Sequence, residues 1–120
     1  MKIAITSTGK DLSSDMDPRF GRAPFFAIID PETMEYEIVD NKQNLNLPQG
    51  AGIQAGKTVV DNKAEVLITG NCGPKAFTVL ERAGIKVITG AKGRVEDVVQ
   101  QYKNGELKSA QGANVEGHWV

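Results

Sequence analysis

Cysteine is nearly absent from this sequence: Cys72 is the single one among 120 residues. No intramolecular disulfide can form, and one thiolate cannot build a closed zinc or iron–sulfur site. Such a count fits a reducing, cytoplasmic setting. A surplus of charge of either sign is also missing. Fourteen basic and fifteen acidic residues leave a net charge of −1, whereas a protein that wraps nucleic acid shows a basic excess. General nucleic-acid binding is therefore not expected. Long apolar runs are lacking too. The stretch after Lys2 is broken by Thr6 and Ser7, too short for the core of a signal peptide. No window approaches the roughly 20 apolar residues of a membrane span. With His118 the only histidine, no nucleophile–histidine pair stands out, and no acid–base pair does either.

What is present is an ordinary globular balance, 40% apolar and 24% charged, in a length that suits one domain with a real core. Residues 2–7 (KIAITS) are β-branched and bounded by Gly9, and predict a first strand. Residues 8–23 are polar, rich in Asp and broken by Gly and Pro, and predict a long loop. Residues 25–30 (FFAIID) and 34–40 (MEYEIVD) predict two further strands, and the short turn at 31–33 makes them an antiparallel hairpin. After a loop over 41–49 the pattern turns helical from Ala51, with Ile53, Val59 and Val60 at helical spacing. The run 66–69 (VLIT) predicts a central strand buried on both faces. Pro74 suits a first helical position, and the helix it opens should close at Gly84 in the C′ position. Residues 85–89 predict a fifth strand. A last helix runs from Val95 through Tyr102 to a stop at Asn104-Gly105.

The order is thus βββαβαβα. A meander followed by two right-handed crossovers predicts a five-stranded mixed sheet of order 3-2-1-4-5. The second strand is antiparallel and helices lie on both faces, a three-layer α/β arrangement of the ribonuclease H-like kind. In that topology the loops 8–23, 41–50, 70–74 and 89–94 share the carboxyl edge of the parallel strands, where open α/β sheets bind ligands. Cys72 and Pro31 should lie at opposite edges. The single domain is expected to span residues 1–107, with 108–120 a flexible tail.

Three segments resemble a known family. They are Asp17-Pro18-Arg19-Phe20-Gly21-Arg22-Ala23, then Gly50-Ala51-Gly52-Ile53-Gln54-Ala55, then Thr69-Gly70-Asn71-Cys72-Gly73-Pro74-Lys75-Ala76-Phe77. In that order they are similar to the dinitrogenase iron–molybdenum cofactor biosynthesis family, over about residues 1–107. The resemblance implies the ribonuclease H-like fold and a protein that binds or carries a metal–sulfur cluster, of molybdenum with iron or with copper. On this reading the cluster-binding set is Arg19, Phe20, Gly21, Arg22, Gly50, Gly52, Gly73 and Lys75. Arginine and lysine supply charge, and the helix starts at Gly50 and Gly73 supply N–H donors. Cys72 precedes a helix start and sits near Lys75, which favours a thiolate and predicts an accessible, acidic metal ligand; a small turn residue with no chemistry is the equal alternative. His118 is an accessory ligand at most. The partners implied are the cluster or an oxyanion, and a cofactor-assembly or acceptor protein, with no membrane.

Blander readings stand beside these. The stretch Ala51–Thr58 fits a loosened P-loop, and Gly50-x-Gly52-x-x-Ala55 a loose dinucleotide fingerprint. Both motifs need a strand running straight into the glycine turn. Here a polar loop intervenes, and Gly56 and Lys57 fall inside the helix, so close packing of that helix explains the glycines. Asp11, Asp15 and Asp17 read first as turn and capping residues, and Arg19 equally as an ion-pair partner. Phe20, Phe25, Phe26 and Phe77 are most simply core. A divalent-metal nuclease or phosphoryl-transfer enzyme using the loop carboxylates is the alternative function, and a ligand-free regulatory or interaction domain a third. The missing acid–base and multi-cysteine sets favour a carrier over an enzyme.

Overall fold

Alternation along each strand decides which face of the sheet every side chain serves. In the computed structural model, which describes residues 1–41 and 50–109, the strands are β1 (Ile3–Ser7), β2 (Phe25–Ile29), β3 (Tyr36–Asp40), β4 (Val66–Ile68) and β5 (Lys86–Ile88). They form one sheet of order β3-β2-β1-β4-β5. β1 pairs antiparallel with β2 and parallel with β4, β2 pairs antiparallel with β3, and β4 pairs parallel with β5. The order and directions are those expected. Each element begins or ends within two residues of its predicted bound.

The helices are α1 (Ala51–Asp61), α2 (Pro74–Arg82) and α3 (Val95–Lys103). Ala4, Phe26, Ile28, Leu67 and Val87 face α1 and α2, which cover them with Ala55, Val59, Ala76 and Leu80. Ile3, Ile5, Ala27, Ile29, Val66, Ile68 and Ile88 face the other way, under Val95, Val98 and Val99 of α3. β1, β2 and β4 are buried along their whole length, the burial expected for strands covered on two sides. β3 is an edge strand, and only its residues Ile38 and Val39 are partly buried. Gly56 explains the glycine inside α1: a Cβ there would sit 3.1 Å from Val79 Cγ1 of α2. Gly56 and Lys57 thus lie within a helix packed on its neighbour rather than in a phosphate-binding loop.

Each helix ends in the same way. Gly84 follows α2 at φ 79°, with its N–H donated to Glu81 C=O and that of Ile85 to Leu80 C=O, both at 3.0 Å. This is a Schellman closure. Gly105 closes α3 likewise, through Gly105 N–H to Tyr102 C=O and Glu106 N–H to Gln101 C=O. After α1 the left-handed position falls on Lys63, at φ 60°. Leu107 packs on the α3 side of the core and Ser109 pairs with Ile88. The rest of the expected tail, and residues 42–49, lie outside the described residues. Among the described residues no helix is long and apolar enough to cross a membrane.

Candidate functional site

β1, β3, β4 and β5 all end at one edge. Three of the segments leaving it are tied together through their backbones. The N–H of Asp17 donates to Thr6 C=O at 3.0 Å, that of Asn71 to Pro18 C=O at 2.7 Å, and that of Phe20 to Asn71 C=O at 3.3 Å. Met16 N–H donates to Gly93 C=O, and Gly90 N–H to Gly70 C=O, both at 2.9 Å. Beneath them the buried Thr6 hydroxyl donates to Asp17 C=O at 2.6 Å, and a 3.0 Å hydrogen bond joins it to the Thr69 hydroxyl. Cys72 belongs to this edge and Pro31 to the hairpin turn at the other, as strand direction requires.

α1 and α2 also start here and run back side by side. Among the described residues neither start has a side-chain cap, and neither has an acidic residue in its first turn. A helix start of that kind presents N–H groups and the positive end of the dipole to an anion. α3 is different. Its first turn carries Glu96 and Asp97, and the N–H groups of Val95 and Glu96 already donate to Ser14 and Leu12 carbonyls at 2.9 Å.

The residues predicted to bind fall into distinct settings. Arg19 is pinned at the edge by the two backbone bonds to Asn71 that flank it, with its side chain 48% exposed. Lys75 is exposed in the first turn of α2, and Arg22 is half-buried. Gly21, Gly52 and Gly73 are buried and Gly50 is half-buried, at φ 84°. Phe20 is wholly buried against Phe26, ring centroids 5.6 Å apart. Its aromatic ring is core, so Phe20 contributes only backbone to the edge. His118 lies outside the described residues.

Cys72 requires a correction. The expected accessible, acidic thiol is instead fully buried among Phe20, Phe26, Ala55 and Ala76, with Sγ 3.7 Å from Gly73 C=O. Burial in this apolar setting disfavours the thiolate and pushes the pKa up to about 12. The turn GNCGP sets the backbone at a helix start but aims the side chain under the edge.

The loop aspartates have local work. Asp11 accepts hydrogen bonds from Ser13 N–H at 3.1 Å and from the hydroxyls of Ser13 and Ser14. These bonds, the Ser13 hydroxyl foremost, hold its pKa below the ordinary carboxylate value. The Asp15 carbonyl accepts both the N–H and the hydroxyl of Thr8 at 3.0 Å. Asp17 is buried and paired with Arg19 at 3.4 Å. Among the described residues no three His, Cys, Asp or Glu side chains converge as a metal site. Sequence reasoning missed the further cations that the topology brings to this edge. Lys92 and Arg94 lie in the β5–α3 segment, and Lys10 sits 5.7 Å over the Phe25 ring. A shallow concavity of about 230 Å³ lies at the opposite edge. Asp30, Glu35 and Glu37 line it with Lys2, a net acidic lining that disfavours an anionic ligand.

Comparison with known proteins agrees with this architecture. The profile of the dinitrogenase iron–molybdenum cofactor family matches residues 1–105, and the chain belongs to that family. It is similar to the orange protein of Desulfovibrio gigas, solved in its apo form, at 43% identity and TM-score 0.92, over 95% of this chain and 96% of that one. It also resembles a candidate NifB protein from Thermotoga at 35% identity and TM-score 0.82, over 97% and 98% of the two chains. An uncharacterized protein of Methanocaldococcus jannaschii is 29% identical over 111 residues, 90% of either chain.

Proposed function

We propose that this chain is a carrier for an anionic metal–sulfur cluster, of molybdenum with iron or with copper, or for its oxyanion precursor, in metal-cofactor biosynthesis. Family membership supplies the carrier role. The observation that carries the ligand class is the placement of Arg19. Its guanidinium is half-exposed, and its backbone is held beside Asn71, just ahead of α2, whose start has no side-chain cap among the described residues and no acidic residue in its first turn. A guanidinium and a helix start are groups that bind a multiply charged anion without a covalent bond. Lys75 and Arg22 extend the charge, and the start of α1 at Gly50–Gly52 adds a second set of N–H donors. Because Cys72 is buried and neutral, the cluster is held by charge and hydrogen bonds rather than by a thiolate.

The scaffold is of the ribonuclease H-like kind and the setting cytoplasmic, with a cofactor-assembly or acceptor protein taking the cargo. A phosphoryl-transfer enzyme on this fold needs carboxylates convergent on a divalent metal. Here Asp11 is committed to Ser13 and Ser14, and Asp17 to Arg19. Titration with tetrathiomolybdate, a simple dianionic molybdenum–sulfur complex, tests the proposal by visible absorbance in the absence of oxygen. Saturable binding that weakens about tenfold or more in Arg19→Ala, one charge-assisted contact's worth, is the expected result. No saturable uptake by the wild type overturns the reading.

A further inference from the structure

We infer that Asp17 is the positioning residue of the anion site, setting which edge of the Arg19 guanidinium meets the ligand. The inference rests on the carrier reading above. Asp17 is 3% exposed, and its backbone is fixed from both sides by Thr6, whose C=O accepts the Asp17 N–H and whose hydroxyl donates to the Asp17 C=O. β1 therefore holds this carboxylate rigidly at the floor of the edge. From there Oδ1 accepts the Arg19 backbone N–H at 2.9 Å and faces Nε at 3.4 Å, while Oδ2 faces Nη2 at 3.4 Å.

A guanidinium has two useful forks, one at Nε and Nη2 and one at Nη1 and Nη2. Asp17 occupies the first. The second points away from the carboxylate on a side chain that is 48% exposed. A lysine in place of Arg19 has a single ammonium and no second fork, so it must choose between Asp17 and the ligand. Charge alone makes the opposite demand: a carboxylate near an anion site weakens anion binding, and removing it should tighten the site. The two effects have opposite signs and different salt dependence, because exposed Coulombic terms fade beyond a Debye length, which falls to about 3 Å near 1 M salt.

Tetrathiomolybdate dissociation constants at high salt for wild type, Asp17→Asn, Arg19→Ala, Arg19→Lys and the double variant Asp17→Asn/Arg19→Ala test this directly. Asn keeps one acceptor but turns a donor toward Nη2, so Asp17→Asn should weaken binding about tenfold, the scale of one lost contact. In the Arg19→Ala background the same change should do nothing, because Asp17 acts through Arg19. Arg19→Lys, which leaves the Asp17 carboxylate in place, should bind nearly as weakly as Arg19→Ala, and it keeps the test open if Asp17→Asn does not fold. Unchanged or tighter binding in Asp17→Asn, an equal loss with and without Arg19, or full affinity in Arg19→Lys overturns the inference while leaving the carrier reading intact. Absence of binding by the wild type at low salt overturns the carrier reading itself and this inference with it.

Discussion

A Cβ added to Gly70 would lie 2.7 Å from the Cα of Pro18. The β4–α2 turn and the loop after β1 thus meet backbone to backbone, and the meeting point adjoins Arg19. Gly70→Ala must push the two segments apart. Overpacking of this kind costs about 1–3 kcal/mol, and it should loosen the Asn71–Pro18 and Phe20–Asn71 hydrogen bonds. Denaturant unfolding gives the stability loss. A parallel drop in anion affinity is expected, because the same contact seats Arg19; a destabilised variant with wild-type affinity would separate the two.

Lys63 is predicted to be a site of easy stabilisation. It holds the left-handed position after α1 at φ 60°, with its N–H donated to Val60 C=O and that of Ala64 to Val59 C=O. A side chain in that conformation costs about 1–2 kcal/mol, part of which glycine returns as unfolded-state entropy. Lys63→Gly should therefore raise stability by about 0.5–1 kcal/mol, read as a higher denaturation midpoint at unchanged slope. A lower midpoint would contradict the assigned conformation.

Strand order, helix positions and the Gly84 and Gly105 closures were legible because they depend on local pattern and on short connections. The 31–33 turn forces a hairpin, and each crossover forces a parallel neighbour. The shared carboxyl edge followed from strand direction alone. The direction of the Cys72 side chain was not legible. It depends on the loop 8–23 folding over the turn and on Phe20 filling the core beside it, contacts between residues some fifty apart in the chain. Lys63 was hidden for another reason: nothing in a lysine announces a left-handed backbone. Arg19 was open to view as an ion-pair partner, but that the partner is Asp17 waited on the burial of one side chain and the exposure of the other.

Cys72 gives a pH signature. Its folded pKa, about 12, lies above the ordinary value of 9.0. Below pH 9 both states keep the proton, and the thiol adds no pH dependence. Between pH 9 and 12 the unfolded chain ionises while the folded one does not. Stability should then fall with a slope that approaches about 1.4 kcal/mol per pH unit for this one group. Cys72→Ala should remove that component, so the stability gap between wild type and variant should narrow as pH rises through this window. Parallel curves would contradict the burial of the thiol. In the same spirit, a thiol reagent should be inert toward the native protein and react once it is unfolded.

ATP and NAD should not bind, because Gly56 and Lys57 lie within α1 and Gly56 is packed on Val79. Calorimetry should show no heat of binding for either nucleotide. A micromolar dissociation constant, about −8 kcal/mol, would show that the glycine-rich start of α1 holds phosphates after all.

The carrier role itself is tested most directly by metal analysis and visible absorbance of the protein purified without oxygen from its native host. The expected result is molybdenum, with iron or copper and sulfide, and visible absorption bands that travel with the protein. Colourless, metal-free protein that hydrolyses nucleic acid in the presence of a divalent metal would contradict it.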